Sequence, residues 1–173
     1  MELRNCGQPK KERHCINFNR NLQLSTSYIK NSTAARTYAK FISVQSTSML
    51  ELSSNVGYMV KGHGIELRDG IEEKNNITNN LIIGSLPYYR GMQADVMVAS
   101  YYISNPNNEI KNNVAAGSYY YGFLYDFKSN SESGIYAKDP VCPSGYSIGE
   151  NSGNIVHSVR KIAVRIKDLY TRQ

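Results

Sequence analysis

The amino-acid sequence predicts an all-β fold, a single-stranded right-handed parallel β-helix of about five coils. Three observations support this prediction. An Asn followed by an apolar residue recurs along the chain, as at Asn55-Val56 and Asn80-Leu81, 25 positions apart. Short runs of alternating apolar side chains lie between these Asn residues, and Gly, Asn and Asp mark the bends. The aromatic residues are 14 Tyr and 4 Phe with no Trp, a composition that favours strands over helices.

Five Asn residues define the repeat and are expected to stack as a ladder: Asn31, Asn55, Asn80, Asn113 and Asn154. Ten positions after four of them stands an apolar residue, namely Phe41, Ile65, Phe123 and Val164. Asn tolerates the left-handed backbone of a sharp bend, and its amide can bind the equivalent Asn one coil away. A period of about 24 residues suits a β-helix, because stacked coils bury a shared apolar interior.

Alternation within the strands assigns the side chains to two faces. Ile65 and Leu67 are predicted to point inward and Glu66 outward. The outward rows are then Glu66, Leu124 and Arg165 in one, and Arg68, Asp126 and Lys167 in the other. Two insertions, near residues 85–91 and 128–146, interrupt the repeat with turn-forming residues, and after the first the strand is expected to resume at Val96 to Val98. Residues 1–173 are predicted to form a single domain, a fragment or truncated relative of a larger protein.

The charge of the chain is basic, with a net charge of +6 and a pI near 9.2. This charge permits an anionic polysaccharide, an anionic membrane surface or nucleic acid as a partner. The tyrosines are not interleaved with basic residues as in a single-strand platform, so we expect no nucleic acid partner. The chain has no phosphate-binding, metalloprotease or nucleophile-elbow motif, and no cofactor is predicted.

The cysteines and the chain ends leave the compartment open. Cys6, Cys15 and Cys142 include no CxxC pair, and no metal site is predicted. A disulfide between Cys6 and Cys15 in an oxidising compartment and three free thiols are both consistent with this pattern. No segment is long and apolar enough to cross a membrane, and the first residues lack the apolar core of a signal peptide. The chain is therefore either cytosolic or part of a larger secreted or membrane-anchored protein.

Titratable residues concentrate around one turn, and four of them are candidate catalytic residues: His63, Asp69, Glu72 and Glu73. Paired carboxylates beside a histidine can cleave a glycosidic bond, although carboxylates at an Asp-Gly turn are often only solvated. The candidate ligand-binding residues are Arg68, Arg165 and Lys167, which would attract a polyanion. Two glycosylation sequons begin at Asn31 and Asn76 and apply only to a secreted chain.

Three stretches resemble a known family: KGHGIELRDGIEEKNN, SNPNNEIKNNVAAGSYYYGFLYDF and PSGYSIGENSGNIVHSVRKIAVRIKD. They are similar to the β-helix region of the fibrocystin-like and cell-migration-inducing, hyaluronan-binding protein family, which includes the cell-surface hyaluronidase. The most specific elements are the Gly62-His63 and Asp69-Gly70 pairs and the Asn105-Pro106 turn. The resemblance covers almost the whole chain and implies an extracellular or cell-surface fragment with a hyaluronan-like ligand.

The sequence departs from the family where the resemblance places a Pro-Ile-His-Phe-His motif. This chain has Asn17 and Asn19 in place of the two histidines. Asn can serve neither as an acid/base catalyst near neutral pH nor as a typical metal ligand. The resemblance with this departure therefore favours a protein that is not an enzyme.

Three functions follow from these observations. The first is a non-catalytic structural or glycan-binding module. The second is a glycan-depolymerising hydrolase or lyase that would use His63, Asp69 and the Glu72-Glu73 pair. The third is a scaffold subunit with protein partners at its open coil ends, because the terminal strands of a solenoid expose unpaired edges.

Overall fold

The computed structural model describes residues 1–19, 27–88, 97–127 and 142–167 of the chain. The strands form three parallel sheets. The first sheet contains β1 (Glu2–Arg4), β4 (Thr33–Ala35), β7 (Val56–Lys61), β10 (Leu81–Leu86), β13 (Val114–Ala116) and β16 (Ile155–His157). The second contains β2 (Ile16–Asn19), β5 (Ile42–Gln45), β8 (Ile65–Leu67), β11 (Ala99–Ile103), β14 (Tyr121–Asp126) and β17 (Ile162–Lys167). The third contains β3 (Ser27–Lys30), β6 (Leu50–Ser53), β9 (Asn76–Thr78), β12 (Glu109–Lys111) and β15 (Asn151–Ser152).

Successive strands belong to successive sheets, and each strand pairs with the strand one coil away. Five coils contribute three strands each, and a sixth contributes β16 and β17. Every strand pairing is parallel, for example Ile42 with Ile65 and Tyr101 with Ile65. The predicted parallel β-helix is confirmed. Short 3-10 turns occur at Pro9–Lys11 and Pro143–Gly145, and no helix among the described residues is long and apolar enough to span a membrane.

The interior is a continuous apolar column that runs along the axis. Ile65 and Leu67 are fully buried in it, as their alternation predicts. Aromatic rings extend the column in the later coils, where the Tyr101 and Phe123 rings stack with their centroids 4.5 Å apart. The Tyr101 hydroxyl donates to the Asn80 carbonyl at 2.8 Å. Its one polar group is thus satisfied inside the core.

An Asn ladder runs along the turn that precedes the first sheet. The Asn55 side-chain nitrogen donates to Asn80 Oδ1, that of Asn80 donates to Asn113 Oδ1, and that of Asn113 donates to Asn154 Oδ1, at 3.0, 3.0 and 3.2 Å. Each bond crosses from one coil to the next. The ladder side chains satisfy one another at a buried turn, where water cannot do so.

Asn31 does not belong to this ladder, contrary to the sequence prediction. The Ser32 backbone N–H donates to Asn55 Oδ1 at 3.0 Å, so Ser32 occupies the ladder position. Asn31 lies one residue earlier and adopts a left-handed φ of 50°. The same offset applies to its strand, because Ile42 and not Phe41 pairs with Ile65.

The residue before each ladder position bends the chain. Left-handed φ values of 50–65° occur at Asn31, Ser54, Asn79, Asn112 and Gly153. Asn and Gly are the residues that adopt this conformation at least cost. The Asn-Asn pairs therefore have two separate roles, with the first residue making the bend and the second joining the ladder.

A second ladder was not predicted. It lies at the turn before the third sheet, where the Asn75 side-chain nitrogen donates to Asn108 Oδ1 at 3.0 Å. Asn75 Oδ1 in turn accepts the Leu50 backbone N–H at 2.9 Å. These bonds connect three successive coils.

Parts of the predicted insertions fall outside the described residues, namely 89–91 and 128–141. Ser85 and Leu86 still belong to β10, and β11 begins at Ala99, just after Met97 and Val98, while Val96 lies outside the described residues. Near the N-terminus Cys6 and Cys15 form a disulfide with a Cα–Cα distance of 5.1 Å. Cys142 is a free and exposed thiol.

Candidate functional site

A buried ion pair occupies the outer side of the second sheet. Glu66 points away from the apolar interior, as its strand position predicts, but it is only 3% exposed, so its predicted place on a solvent-facing row is wrong. Lys40 Nζ lies 2.6 Å from Glu66 Oε1, and the Ser43 hydroxyl donates to Oε2 at 2.8 Å. Burial opposes ionisation of Glu66, but the positive charge of Lys40 and the hydrogen bonds from Lys40 and Ser43 outweigh it and lower the pKa to about 2. Glu66 is therefore a carboxylate at neutral pH.

His63 belongs to the same cluster and is also buried. Its Nδ1 accepts the Ala99 backbone N–H at 3.0 Å, and its Nε2 lies 4.0 Å from Glu66 Oε1. The Tyr102 ring covers it, with centroids 4.9 Å apart. Because Nδ1 is an acceptor, the neutral ring carries its proton on Nε2, toward Glu66. The imidazole connects β8 to β11 and is only 7% exposed.

Asp69 and Glu72 form a second buried group, in the turn after β8. Glu72 Oε1 accepts the Ser46 backbone N–H and Glu72 Oε2 accepts that of Gly70, each at 2.8 Å. The Ser46 hydroxyl donates to Asp69 Oδ2 at 2.9 Å. Burial raises the pKa of Glu72 to about 7, with the nearby Asp69 charge adding to the shift and the backbone donors opposing it. These carboxyl groups hold the turn in place, Glu72 by accepting backbone N–H groups and Asp69 by accepting the Ser46 hydroxyl.

Glu73 is the more accessible of the four candidate catalytic residues. Its Oε2 accepts the Asn107 side-chain amide at 3.1 Å. The structure brings His63 to Glu66 and Asp69 to Glu72, and it leaves Glu73 at the surface beside Asn107. Within the described ranges, no three His, Cys, Asp or Glu side chains converge as metal ligands would.

The last two coils carry an exposed group of cations against tyrosine rings, which we call the tyrosine–cation face. The Arg160 guanidinium carbon lies 4.5 Å from the Tyr119 ring centroid, and Lys161 Nζ lies 6.0 Å from that of Tyr120. The Arg165 guanidinium carbon lies 5.9 Å from the Tyr121 ring centroid, and its Nη1 donates to the Tyr121 hydroxyl at 3.0 Å. The face consists of Tyr119, Tyr120, Tyr121, Arg160, Lys161 and Arg165.

The register of the solenoid creates these pairs. The Arg160 backbone N–H donates to the Ser118 carbonyl, and that of Ile162 to the Tyr120 carbonyl, each at 3.0 Å. The turn before β17 therefore lies directly over the turn before β14. The same separation of 41 positions joins Asn113 to Asn154, Tyr119 to Arg160 and Tyr120 to Lys161. The repeat could thus have located this face from the sequence.

The three predicted ligand-binding residues lie apart. Arg165 belongs to the tyrosine–cation face. Lys167 Nζ lies 3.3 Å from Asp126 Oδ1, an ion pair that partly neutralises its charge. Arg68 follows β8, three coils below β17 and so ~14 Å away along the axis.

The chain is similar to known proteins along nearly its whole length. The family model CEMIP beta-helix matches residues 1–164. Fibrocystin-L of Mus musculus is 30% identical over 132 residues, which cover 76% of this chain and 3% of that protein. The cell surface hyaluronidase of Danio rerio is 28% identical over 163 residues, covering 76% and 12% of the two chains. Cell surface hyaluronidase CEMIP2 of Homo sapiens is 25% identical over 181 residues, covering 84% and 13%. The chain spans only a small part of the length of these relatives.

Proposed function

Because the chain belongs to the CEMIP beta-helix family, we propose that it is a non-catalytic extracellular module that binds an acidic polysaccharide of the hyaluronan kind. The tyrosine–cation face is the observation that carries this proposal. It combines exposed cations, which attract carboxylates, with the half-buried rings of Tyr119 and Tyr120, which stack on sugar rings. Tyr121 is only 3% exposed and serves to position Arg165 through its hydroxyl. The three cation–ring contacts hold the basic side chains in place before a ligand arrives.

The environment of the carboxylates supports a role without catalysis. Glycosidic cleavage by a pair of carboxyl groups requires both to flank the bond in an accessible cleft. Here Glu66, Asp69 and Glu72 are each at most 3% exposed, and all accept hydrogen bonds from their own scaffold. Asn17 and Asn19 are both exposed on the outer face of β2, where the family resemblance places two histidines. A hydrolase or lyase that uses His63, Asp69 and Glu72 is the less supported alternative.

An extracellular location agrees with the disulfide and with the relatives. Disulfides persist in oxidising compartments, and the zebrafish and human relatives are named cell surface hyaluronidases. In that compartment Asn31 is the sequon that we propose to be glycosylated, because it is exposed whereas Asn76 is half-buried. Mass spectrometry of the chain secreted from animal cells tests the disulfide and the glycosylation. We expect a disulfide-linked Cys6–Cys15 peptide and a glycopeptide that contains Asn31.

The role of the face is tested by removing its charge. We expect Arg160→Ala/Lys161→Ala/Arg165→Ala to weaken binding of long hyaluronan about tenfold or more, since three cation contacts are lost. The matched control, Arg4→Ala/Lys30→Ala/Lys74→Ala, removes the same charge from other exposed positions. Binding is measured by biolayer interferometry at physiological salt. Equal weakening by both variants would mean that only net charge matters and that the face is not a site.

A second candidate function is a scaffold subunit with a protein partner at the last coil. Ile155, Ile162, Val164 and Ile166 are 42–56% exposed there, although Val164 and Ile166 stand in register with buried Phe123 and Tyr125. An apolar partner surface would cover them. Sedimentation velocity of the native chain and of Val164→Lys/Ile166→Lys tests this role. We expect the native chain to assemble and the variant to remain monomeric. A native chain that stays monomeric and captures no partner would contradict it.

A further inference from the structure

A cavity of about 470 Å³ lies beside the disulfide loop, and none of the buried carboxylates lines it. One wall is the loop itself, with Gly7, Gln8, Pro9 and Lys11, and the other consists of Tyr38, Lys61 and Tyr88. Lys61 Nζ lies 5.3 Å from the Tyr38 ring centroid. Tyr38 is 46% exposed, so much of its ring is accessible to a ligand. We call this cavity the tyrosine cleft.

The wall formed by the loop is fixed against the second coil. The Tyr38 backbone N–H donates to the Cys6 carbonyl at 2.7 Å, and the Cys15 N–H donates to the Lys40 carbonyl at 3.0 Å. Gly7 has a φ of +96°, and a Cβ there would lie 2.7 Å from the Ala39 Cβ. Only glycine permits so close an approach with this backbone. The Cys6–Cys15 disulfide closes the same loop, so the cleft exists before any ligand binds.

The cleft and the tyrosine–cation face lie along one edge of the solenoid. Both are built from the turns that lead from the first sheet to the second. The cleft uses residues from each of coils one to four, at these turns or at the strand end beside them: Lys11, Tyr38, Lys61 and Tyr88. The face uses Tyr119 and Tyr120 from the turn of coil five and Arg160 and Lys161 from the turn of coil six. Aromatic rings and cations thus occur in both halves of this edge.

We propose that the tyrosine cleft and the tyrosine–cation face are two parts of one binding edge, which an extended acidic polysaccharide follows parallel to the solenoid axis. This inference rests on the proposed function and names the path of its ligand. Tyr38 stacks on a sugar ring in the cleft, Lys11 and Lys61 pair with carboxylates, and Gln8 hydrogen-bonds to a hydroxyl. From the first coil to the sixth the edge measures ~24 Å, since neighbouring strands are spaced about 4.8 Å apart.

Two consequences distinguish this arrangement from binding at the face alone. A chain that reaches both parts gains the second contact without a further association step, so affinity rises steeply once the oligosaccharide can span the edge. The cleft then contributes to the binding of long chains only. Short oligosaccharides occupy one part and lose nothing when the other part is altered.

The test measures affinity for hyaluronan oligosaccharides of graded length by isothermal titration calorimetry. We expect Tyr38→Ala/Lys61→Ala to weaken the longest oligosaccharides about tenfold and to remove the steep rise with length. Lys61→Glu alone is also expected to weaken binding of the longest oligosaccharides, and it retains the Tyr38 ring. The matched control is Tyr28→Ala/Lys30→Ala, because Lys30 Nζ lies 5.2 Å from the Tyr28 ring centroid in the same kind of pair on the third sheet. This control is expected to bind as the native chain does.

The outcomes separate this inference from the proposed function. If the cleft variants bind oligosaccharides of every length with unchanged affinity while the Arg160/Lys161/Arg165 variant loses affinity, the shared edge is overturned. The tyrosine–cation face then remains as the binding site. Equal loss in the Tyr28/Lys30 control also overturns it. A native chain that binds no oligosaccharide and no polymer overturns the proposed function itself. Circular dichroism and thermal melting of each variant show that it is folded.

Discussion

Two buried glutamates six positions apart have opposite electrostatic environments. Glu66 has a cation within hydrogen-bonding distance, and Glu72 has only backbone and hydroxyl donors with a second carboxyl group nearby. The alternation of β8 predicts the outward direction of Glu66. Its burial could not be predicted, because it depends on Lys40 from the preceding coil and on His63 and Tyr102. Burial of an outward-pointing side chain by residues from other coils depends on tertiary structure, which local periodicity does not predict.

Lys40 is expected to be essential for stability because it neutralises Glu66. Lys40→Met leaves a buried carboxylate without its cation, which costs about 3–5 kcal/mol of unfolding free energy. The control Lys30→Met breaks an ion pair with Glu51 whose side chains are 40% and 38% exposed, and such pairs contribute at most about 1 kcal/mol. Urea unfolding measures both. Similar losses in the two variants would contradict the proposed importance of the buried pair.

The two glutamates also predict how stability depends on pH. The folded pKa of Glu66, about 2, lies below the ordinary 4.5, so its contribution is present above pH 4.5 and is lost as the pH falls toward 2. The folded pKa of Glu72, about 7, lies above 4.5, so its contribution is present below pH 4.5 and is lost as the pH rises through 7. Each amounts to about 3 kcal/mol. Stability from these two groups is therefore greatest near pH 4.5.

Glu72→Gln separates the two effects. Gln stays neutral, so we expect the loss of stability between pH 4.5 and 7 to shrink and the loss in acid to remain. Chemical unfolding from pH 3 to 8 measures both limbs. An unchanged slope above pH 4.5 in this variant would assign that slope to another group.

The turns between strands fix the register of the solenoid. The sequence predicts the period and four of the five ladder positions that the hydrogen bonds connect, but it places the second coil one residue out of register. An Asn at the bend and an Asn in the ladder are indistinguishable by residue type, so Asn31 was aligned where Ser32 belongs. The second ladder repeats a spacing already present in the first, since 33 positions separate Asn75 from Asn108 and also Asn80 from Asn113.

Asn79 and Asn80 allow the two roles to be compared at neighbouring positions. Asn80→Ala removes the donor to Leu52 and the acceptor for Asn55, and it should cost about 3 kcal/mol or more because buried partners lose their bonds. Asn79→Ala puts alanine at an exposed position whose φ is 56°, and it should lower the free energy of unfolding by about 1 kcal/mol. Thermal or urea unfolding compares them. A greater loss at Asn79 would show that the bend, not the ladder, dominates this turn.

At the scale of the whole molecule, the solenoid turns a one-dimensional repeat into surfaces that no single coil contains. The resemblance to the fibrocystin-like and cell-surface hyaluronidase family is confirmed by the family model and the relatives. The separation of 41 positions between coils five and six pairs Arg160 with Tyr119 and Lys161 with Tyr120, so the aligned repeat could have located this face. The tyrosine cleft combines residues from four coils and the disulfide loop. Such combinations depend on the insertions and bends that set each coil's register.

The central claim is that this β-helix binds an acidic polysaccharide without cleaving it. The most direct measurement incubates the purified chain with labelled long hyaluronan at low and physiological salt and separates the mixture by size. We predict a shift of the polymer without shortening, and a weaker shift at the higher salt because screening reduces the attraction of the basic residues. Shortened polymer would contradict the non-catalytic assignment, and no shift at either salt would contradict binding.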